Sequence, residues 1–281
     1  MSTARRTGTA RVMDVTLLGA TVVFAVLWMI PIIWVVVMSL KPNSELMRST
    51  AGFIPVPFTF ENYVNIVKLA TVPLWLMHSF IVAISMTLAV LAISSTAGYA
   101  FARLDFPFKR TLFLIMIVGL MVPEQAVFIP LFTMIADWGL HNTHAALVMP
   151  RVAVPIGVFL MTQFFRAIPR ELEEAAELDH ASHLKIFLKI MLPLSVPALT
   201  TLGLFTFIFA WNDFLWPLIS ATRADMYTVT VGLASIQGNF AFSEGLGSVM
   251  ASAVFASLPI VILFLVFQRF IVAGVAMGAG K

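Results

Sequence analysis

Long apolar runs alternate with short polar ones along most of this chain. A helix needs about 20 consecutive apolar residues to cross the core of a bilayer, and six stretches approach or exceed that length. They lie at about 15–39, 77–101, 111–134, 144–165, 193–217 and 249–268. Each contains proline, glycine or polar residues, which membrane helices tolerate where neighbouring helices satisfy the backbone. The pattern predicts an all-α integral membrane protein with six transmembrane helices.

The composition supports the same class of protein. The 281 residues are 60% hydrophobic and 11% charged, whereas a soluble domain carries roughly 25% charged residues. Cysteine is absent, which excludes disulfides, thiolate metal sites and thiol catalysis. Arg5, Arg6 and Arg11 precede the first apolar run, which is too long for a signal peptide and has no small-residue cleavage site after it. We therefore expect this run to be retained as the first span.

The distribution of lysine and arginine predicts the orientation in the membrane. With a cytoplasmic N-terminus, twelve of the 17 basic residues fall in cytoplasmic segments, four fall in outer segments, and Arg151 lies within a span. Because basic residues are enriched in cytoplasmic loops, we expect a multi-pass membrane protein with both termini in the cytoplasm. The expected organisation is a tail at 1–14, a single membrane domain at 15–275 and a second tail at 276–281.

The cytoplasmic loop 166–192, named the EAA segment below, concentrates charge between two apolar runs. It contains EAAELDHASHLKIFLKIM, and Pro169 stands at a position typical of a helix start. Apolar residues recur at helical spacing on both sides of Asp179 and His180, which predicts two short amphipathic helices with a break between them. One interpretation is a helix that lies on lipid headgroups. An anionic leaflet would repel the acidic first half, however, which favours docking against a protein.

Six stretches of the chain resemble permease subunits of ATP-binding cassette importers, in the carbohydrate branch with the maltose-type second permease. The EAA segment resembles the EAA motif of that family, and the other stretches occur in the family's order. They are AGYAFARLDF (97–106), MVPEQAVFIPLF (121–132), GLHNTHAALVMP (139–150), FLMTQFFRAIPRELEEAA (159–176) and WNDFLWPL (211–218). The resemblance extends from about residue 15 to residue 275 and implies the type I importer permease fold, with a cytoplasmic helix-turn-helix coupling segment.

In that family the EAA motif forms coupling helices that dock into a cleft of the ATP-binding subunit. The resemblance implies that Phe187 packs the second helix back on the permease. The docking surface that it implies consists of Glu174, Ala175, Ala176, Asp179 and His180. His180 stands where the motif usually has glycine. Because histidine tolerates positive φ at some cost, the turn either persists with strain or adopts another geometry.

The chain is not expected to be an enzyme. Its C-terminal stretch GVAMGAGK resembles a phosphate-binding loop, but Val275 occupies the position of the first glycine and no hydroxyl residue follows Lys281. No nucleophile and base share one predicted site. His141 and His144 lie in a short loop without nearby carboxylates, so no metal site is expected. We therefore expect no cofactor in this chain, with ATP and Mg²⁺ bound by a partner subunit.

Ionisable residues inside the predicted spans are candidates for the translocation path. They are Arg151, Asp213 and Glu124, with Asn212 and Trp211 next to Asp213. One hypothesis pairs Arg151 structurally with Asp213 or Glu124, or lets it snorkel outward. The other hypothesis places Arg151 on the path, where its guanidinium would hold an anionic group of a sugar or glycoside. Asn212 and Trp211 suit sugar hydroxyls and rings, although Trp211 equally suits an interfacial anchor.

The resemblance implies a location in a bacterial inner membrane and an assembly with a second, homologous permease, two ATP-binding subunits and an extracytoplasmic solute-binding protein. The outer loops 41–76 and 218–248 are expected to meet the binding protein. Within the loop SIQGNFAFSEG (235–245), the candidate contacts are Gln237, Gly238 and Asn239. Membrane lipid and a sugar or glycoside are the other expected partners, and nucleic acid is not.

Two rival hypotheses come from other functional classes. An ion-coupled secondary transporter or channel subunit would require an internal repeat and buried carboxylates near the midplane, and the sequence displays neither. A membrane scaffold without transport would leave Arg151 and the WND stretch at 211–213 unexplained. The importer permease is therefore the preferred interpretation.

Overall fold

The computed structural model of the protein describes residues 8–48, 54, 56–68, 71–243 and 245–279, with side chains for 15–46, 54, 56–68, 71–236 and 245–268. In chain order the α-helices are α1 (Gly8–Ser39), α2 (Asn43–Arg48), α3 (Glu61–Lys68), α4 (Thr71–Arg103), α5 (Lys109–Val118), α6 (Phe128–Asp137), α7 (His144–Val148), α8 (Pro155–Ala167), α9 (Glu171–Leu178), α10 (His183–Ile186), α11 (Leu192–Leu194), α12 (Val196–Asn212), α13 (Leu215–Ser220), α14 (Val229–Ser243) and α15 (Leu246–Ala279). Within these described ranges there is no β-strand. The prediction of an all-α protein is confirmed. The ends of both predicted tails, residues 1–7 and 280–281, lie outside the described residues.

Three helices are long and apolar enough to cross a bilayer without interruption. They are Val15–Ser39 within α1, Thr71–Arg103 (α4) and Leu246–Gln268 within α15. These helices correspond to the first, second and sixth predicted spans. The second span begins earlier and ends later than the predicted range 77–101. Its helix, α4, contains 33 residues and is about 50 Å long.

The third, fourth and fifth predicted spans are each interrupted by a bend, which the apolar pattern did not predict. Three bent helix pairs replace them, at angles of 95°, 51° and 75°: Lys109–Met121 with Glu124–Asp137, His144–Arg151 with Pro155–Ala167, and His183–Leu194 with Val196–Asn212. Counting each pair as one span gives up to six spans in total, by length and composition.

Proline explains the first two of these interruptions. It lacks an N–H and forces the residue before it out of the helical region. Val122 is extended, with ψ at 117°, immediately before Pro123, and Val154 is extended, with ψ at 105°, immediately before Pro155. The third break falls at Ser195, between the prolines at 193 and 197. The same prolines were visible in the sequence, but hydropathy alone did not distinguish a tolerated proline from a break.

The described residues group into two compact units. One contains the chain up to Ala70 together with Ser235–Ala256, and the other contains Thr71–Ala234 together with the chain from Ser257. The expectation of a single membrane domain stays a prediction.

In the first unit, Asn62 of α3 satisfies backbone carbonyls where α1 ends. Its Nδ2 atom donates to Ser39 O at 2.9 Å and to Lys41 O at 2.8 Å. The last carbonyls of a helix have no partner within the helix, so this side chain completes the helix end. The Ser39 hydroxyl also lies 2.7 Å from the Tyr63 hydroxyl.

In the second unit, α4 and α8 approach each other closely because two glycines remove side chains from their contact. A Cβ atom on Gly98 would lie 2.7 Å from the Cβ of Met161, and one on Gly157 would lie 2.5 Å from the Ser94 hydroxyl oxygen. Such distances are shorter than real Cβ contacts. Small residues at helix contacts are typical of membrane proteins, and here they bring α8, which leads into the EAA segment, against α4.

The first turns of α4 bind the loop 221–228. Trp75 Nε1 donates to Ala224 O at 2.9 Å. His78 lies 2.8 Å from Asp225 O through one ring nitrogen and 2.8 Å from His144 Nε2 through the other. The backbone of this loop is therefore attached to the end of α4 opposite the EAA segment.

Candidate functional site

The EAA segment begins with the helix α9, which starts two residues after Pro169. Three carboxylates occupy its first turn: Glu171, Glu173 and Glu174. Negative side chains at this end are favoured by the helix macrodipole. The predicted first coupling helix is confirmed as a helix, with its C-cap at Asp179.

The turn after α9 is closed by His180 in a left-handed conformation, with φ at 55°. His180 N donates to Glu177 O at 2.9 Å, and Ala181 N donates to Ala176 O at 3.0 Å. These two bonds form the Schellman motif, which ordinarily has glycine at the left-handed position. Of the two alternatives for His180, the first is therefore correct: the turn persists with a non-glycine residue at positive φ.

The second helix of the segment is α10, and it continues through a π-helical turn at Phe187–Met191. The Ser182 side chain caps it by accepting from Lys185 N at 3.4 Å. Phe187 is buried, with its ring centroid 5.1 Å from that of Tyr99 and 6.4 Å from that of Phe165. Phe187 therefore packs the second helix against α4 and α8, as the resemblance implies.

The predicted docking residues lie mostly at the surface of the chain. Glu174, Ala175, Asp179 and His180 are exposed, and Ala176 is partly buried. Four leucines of the segment are also exposed, and the most exposed are Leu178 at 83% and Leu184 at 66%. The segment thus presents small, acidic and apolar side chains together at the surface of the chain.

Arg103, the last residue of α4, makes contacts that the sequence analysis did not anticipate. Its Nη2 atom donates to Phe165 O at 2.7 Å and also to Ile168 O. Its Nε atom lies 2.7 Å from Glu173 Oε1 in an ion pair, and the two side chains are 4% and 13% exposed. Burial raises the pKa of the Glu173 carboxyl above its ordinary value, although the Arg103 guanidinium lowers it in part.

Arg151 is the centre of a second cluster, which joins three interrupted spans. Its guanidinium forms ion pairs with Glu124 and with Asp213. Glu124 lies in the break of the third span, Arg151 just before that of the fourth, and Asp213 immediately after α12. The Arg151 side chain is 7% exposed and stacks 4.7 Å from the centroid of the Phe209 ring. Both pairings in the structural hypothesis for Arg151 are present at once.

A cavity of about 410 Å³ lies beside this cluster. Its wall includes Arg151, Glu124, Phe209, Phe128 and Trp216. The wall is mostly apolar with a few polar groups, which is typical of small-molecule sites. Because one guanidinium faces two carboxylates, the cluster carries an excess of one negative charge when all three groups are ionised.

Three candidate residues for the translocation path do not line this cavity: Asp213, which belongs to the cluster beside it, Trp211 and Asn212. Trp211 is buried between aromatic neighbours, with its ring centroid 4.8 Å from that of Phe80 and 5.8 Å from that of Phe207. Asn212 Nδ2 donates to Ile208 O at 2.9 Å. The structure thus brings Arg151, Glu124 and Asp213 together and leaves Trp211 and Asn212 apart from the cavity wall.

The candidate contacts for a binding protein fall in α14, which corrects the prediction of a loop over 235–245. The helix extends to Ser243 because few helix-breaking residues interrupt an apolar stretch. The side chains of Gln237, Gly238 and Asn239 lie outside the described residues. Within the part of the chain that is described, no group of three or more metal-ligating side chains occurs.

Known proteins with similar sequences are transport components. The family model described as "Binding-protein-dependent transport system inner membrane component" matches residues 91–277. The arabinooligosaccharides transport system permease protein AraQ of Halalkalibacterium halodurans is 35% identical over 254 residues, which cover 89% of this chain and 90% of that protein. The trehalose/maltose transport system permease protein MalG of Thermococcus litoralis is 36% identical over 272 residues, which cover 95% and 96%.

A solved structure has the same fold. The crystal structure of a bacterial ABC transporter involved in the import of the acidic polysaccharide alginate contains a chain that matches with a TM-score of 0.85. The match covers 95% of this chain and 99% of that chain, at 22% identity. At that identity the similarity concerns the fold alone, and it confirms the prediction of an importer permease fold.

Proposed function

The chain belongs to the family of inner membrane components of binding-protein-dependent transport systems, and from this membership we propose that it carries a sugar or glycoside across the membrane. The resemblance to importer permeases inferred from the sequence is thereby confirmed. The relatives named above are permease proteins for arabinooligosaccharides and for trehalose and maltose. The chain is accordingly a permease, and the expectation that it is not an enzyme is confirmed on the same ground.

The EAA segment is proposed as the docking site for an ATP-binding subunit, which would hold ATP and Mg²⁺. The observation that carries this proposal is the exposure of Leu178 and Leu184 beside the acidic residues Glu174 and Asp179. Apolar side chains exposed on a segment whose other face is packed against the protein are typical of interfaces. His180, exposed at the turn between the two helices, would lie in the same contact.

The assembly we propose has four membrane-associated parts and one outside the membrane. A second, homologous permease would complete the translocation path, and two ATP-binding subunits would bind the EAA segments of the two permeases. A solute-binding protein would dock on the opposite side, at the loops 41–76 and 218–248, with Gln237, Gly238 and Asn239 as candidate contacts. This arrangement requires both termini to lie in the cytoplasm, which agrees with the excess of basic residues on that side.

The proposed mechanism is alternating access. ATP would close the pair of ATP-binding subunits, and the EAA segments would transmit that movement to the membrane helices. The cavity would then turn from the cytoplasmic side to the outer side. For ATP to drive this change, the ATP-bound subunits must bind the outward-facing arrangement more tightly, because a ligand without differential affinity shifts no equilibrium.

The charged groups beside the cavity bear on whether the cargo is a neutral or an anionic sugar. Among the residues that the structure describes, Arg151 is the one cation on the wall of the 410 Å³ cavity, and this supports an anionic sugar as a second candidate. An anion would have to replace a carboxylate at Arg151, and Glu124 is the more exposed of the two, at 43% against 14% for Asp213. The negative excess of the cluster favours a neutral sugar, which is our first candidate.

Competition experiments separate the two candidates. Uptake of a labelled neutral oligosaccharide would be measured in reconstituted vesicles against the unlabelled neutral sugar and the corresponding uronic acid. A neutral cargo predicts competition by the neutral sugar alone. Competition by the uronic acid that disappears in an Arg151→Gln transporter would instead establish the anionic candidate. Unchanged uptake of an acidic sugar by that variant would remove it.

Copurification from native membranes tests the docking proposal. The tagged chain is expected to bring down an ATP-binding subunit and a second permease, and Glu174→Lys is expected to lose the ATP-binding subunit only. Asp105→Lys is the matched control, because it makes the same charge change at an exposed residue of the loop 104–108 outside the EAA segment. Recovery of the wild-type chain alone, or as a homo-oligomer, would overturn the importer proposal.

A further inference from the structure

Arg103 occupies a position where one side chain reaches two elements that follow each other in the chain. It ends α4, and its side chain is 4% exposed. An arginine buried this deeply is unusual unless its donors are satisfied. Its partners are the end of α8 and the first turn of α9, so the contacts lie on both sides of the short connection between those helices.

The contacts suit a guanidinium in particular. Two carbonyl oxygens at the end of α8, those of Phe165 and Ile168, accept from Nη2. The Glu173 carboxylate lies against Nε. The guanidinium donates from Nη2 to two carbonyl oxygens and forms an ion pair with Glu173 through Nε, whereas a lysine ammonium on a flexible stem does not fix the relative orientation of these partners. The geometry therefore orients α9 relative to α8.

Tyr99, one turn earlier in α4, contacts the second helix of the EAA segment. Its ring lies 5.1 Å from the ring of Phe187 and 6.0 Å from the ring of Phe165, as centroid distances. Tyr99 is 5% exposed, Phe165 is fully buried and Phe187 is 7% exposed. The last turn of α4 thus binds both helices of the EAA segment, the first through charge and the second through aromatic packing.

The other end of α4 holds the loop 221–228 through Trp75 and His78. Between these two ends α4 is a continuous helix of 33 residues with no internal break. The third, fourth and fifth spans are interrupted, so α4 is the described span of this unit that joins the EAA segment to the opposite loop without interruption.

We propose that Arg103 is a positioning residue that, through Glu173 and the end of α8, fixes the EAA segment to α4, so that movement of the segment is delivered along α4 to the loop 221–228. This inference rests on the proposed docking of the segment to an ATP-binding subunit. It adds a residue outside the EAA motif and a specific helix as the route of transmission.

The test uses the complete transporter in vesicles and measures sugar taken up per ATP hydrolysed. Arg103→Gln is expected to lower this ratio by about tenfold, because removing one member of a buried charge pair leaves the other uncompensated. Glu173→Ala is expected to lower it in the same direction. Since both act through one contact, the double variant should be no worse than Arg103→Gln. Glu171→Ala, which removes a carboxylate from the same turn without touching Arg103, is the matched control.

The outcomes distinguish this inference from the proposal beneath it. If the wild-type chain fails to bind an ATP-binding subunit, the docking proposal fails first. If Glu174→Lys detaches that subunit while Arg103→Gln and Glu173→Ala keep the wild-type ratio, docking stands and the role of Arg103 is wrong. An equal fall in Glu171→Ala would also overturn it. If Arg103→Gln does not assemble, the ratio of Glu173→Ala against its control decides the question.

Discussion

At the scale of single residues, His180 is held in a conformation that its side chain disfavours. The left-handed region costs a residue with a Cβ about 1–2 kcal/mol relative to the right-handed one, and His180 has φ at 55°. The Schellman bonds from His180 and Ala181 hold the backbone there. The EAA segment therefore tolerates a residue other than the usual glycine because its hydrogen bonds fix the turn.

His180→Gly is expected to stabilise the protein by about 1 kcal/mol, since glycine adopts positive φ without that penalty. The matched control is Asp179→Gly, because Asp179 has φ at −82° and glycine there only adds freedom to the unfolded chain. We expect opposite shifts of the unfolding midpoint for the two variants in detergent. A loss of stability in His180→Gly would mean that contacts of the imidazole outweigh the backbone cost.

The free energy of unfolding is expected to depend on pH through Glu173, and the surroundings of this carboxyl fix the sign of that dependence. Burial raises the pKa of its carboxyl above the ordinary value of 4.5, Glu177 raises it further, and Arg103, Arg170 and His183 lower it. A carboxyl with a raised pKa in the folded state contributes stability below its unfolded pKa and loses it as the pH rises through the folded value. We therefore expect the stability of the wild type, relative to Glu173→Gln, to increase as the pH falls toward 4.5.

Unfolding midpoints of both proteins across that range measure the difference. The variant keeps a neutral side chain of the same shape at all pH values, so the pH dependence of other groups cancels in the comparison. A wild type that instead loses stability relative to Glu173→Gln on acidification would show that the Arg103 ion pair dominates over burial. Glu173→Gln is expected to be no less stable than the wild type at neutral pH. A fall in sugar uptake per ATP hydrolysed in this variant would therefore not be an effect of lost stability.

At the scale of the elements, hydropathy predicted where the chain crosses the membrane better than how it crosses. The first, second and sixth spans are continuous helices near the predicted positions. The third, fourth and fifth are broken at Pro123, before Pro155, and at Ser195. Proline is compatible with both a continuous and a broken membrane helix, and neighbouring helices decide between them.

The candidate site was predictable to a similar degree. The EAA segment, its turn and the partners of Arg151 follow from local spacing and from charge in an apolar environment. Arg103 was counted only as a basic residue near a membrane boundary, because its partners at 165, 168 and 173 depend on the packing of α4 on α8. The pairing of His78 with His144, 66 residues apart, depends on packing in the same way.

The Arg151 cluster joins three broken spans, so its substitutions are expected to lower the stability of the protein. The size of the effect should differ among the three residues because their burial differs. Arg151→Gln leaves two carboxylates facing each other and should cost roughly 3–5 kcal/mol. Asp213→Asn should cost less and Glu124→Gln least, in the order of their exposures of 14% and 43%. The control is Arg223→Gln, an exposed arginine paired with Asp225, which is expected to leave the unfolding midpoint unchanged because solvent screens an exposed ion pair. Equal costs for the two arginines would show that the cluster does not hold the spans together.

At the scale of the whole molecule, the transport proposal requires that an event at the EAA segment reaches the opposite end of α4. The described contacts give one continuous route, from Glu173 through Arg103 and along α4 to Trp75, His78 and the loop 221–228. Contact alone is not coupling, however. The physical requirement is an element whose equilibrium is biased by ligands at both ends.

Thermodynamic linkage turns this requirement into a measurement on the assembled transporter. If a non-hydrolysable ATP analogue changes the affinity for the solute-binding protein by some factor, the binding protein must change the affinity for the analogue by the same factor, typically about 5–150-fold. If Arg103 transmits this coupling, Arg103→Gln should reduce both factors together toward one while leaving each affinity measurable without the other ligand. Titrations of labelled binding protein with and without the analogue, and the reverse titrations, give both factors. Factors that stay at their wild-type values in Arg103→Gln, while falling in a variant of another span, would place the route outside α4.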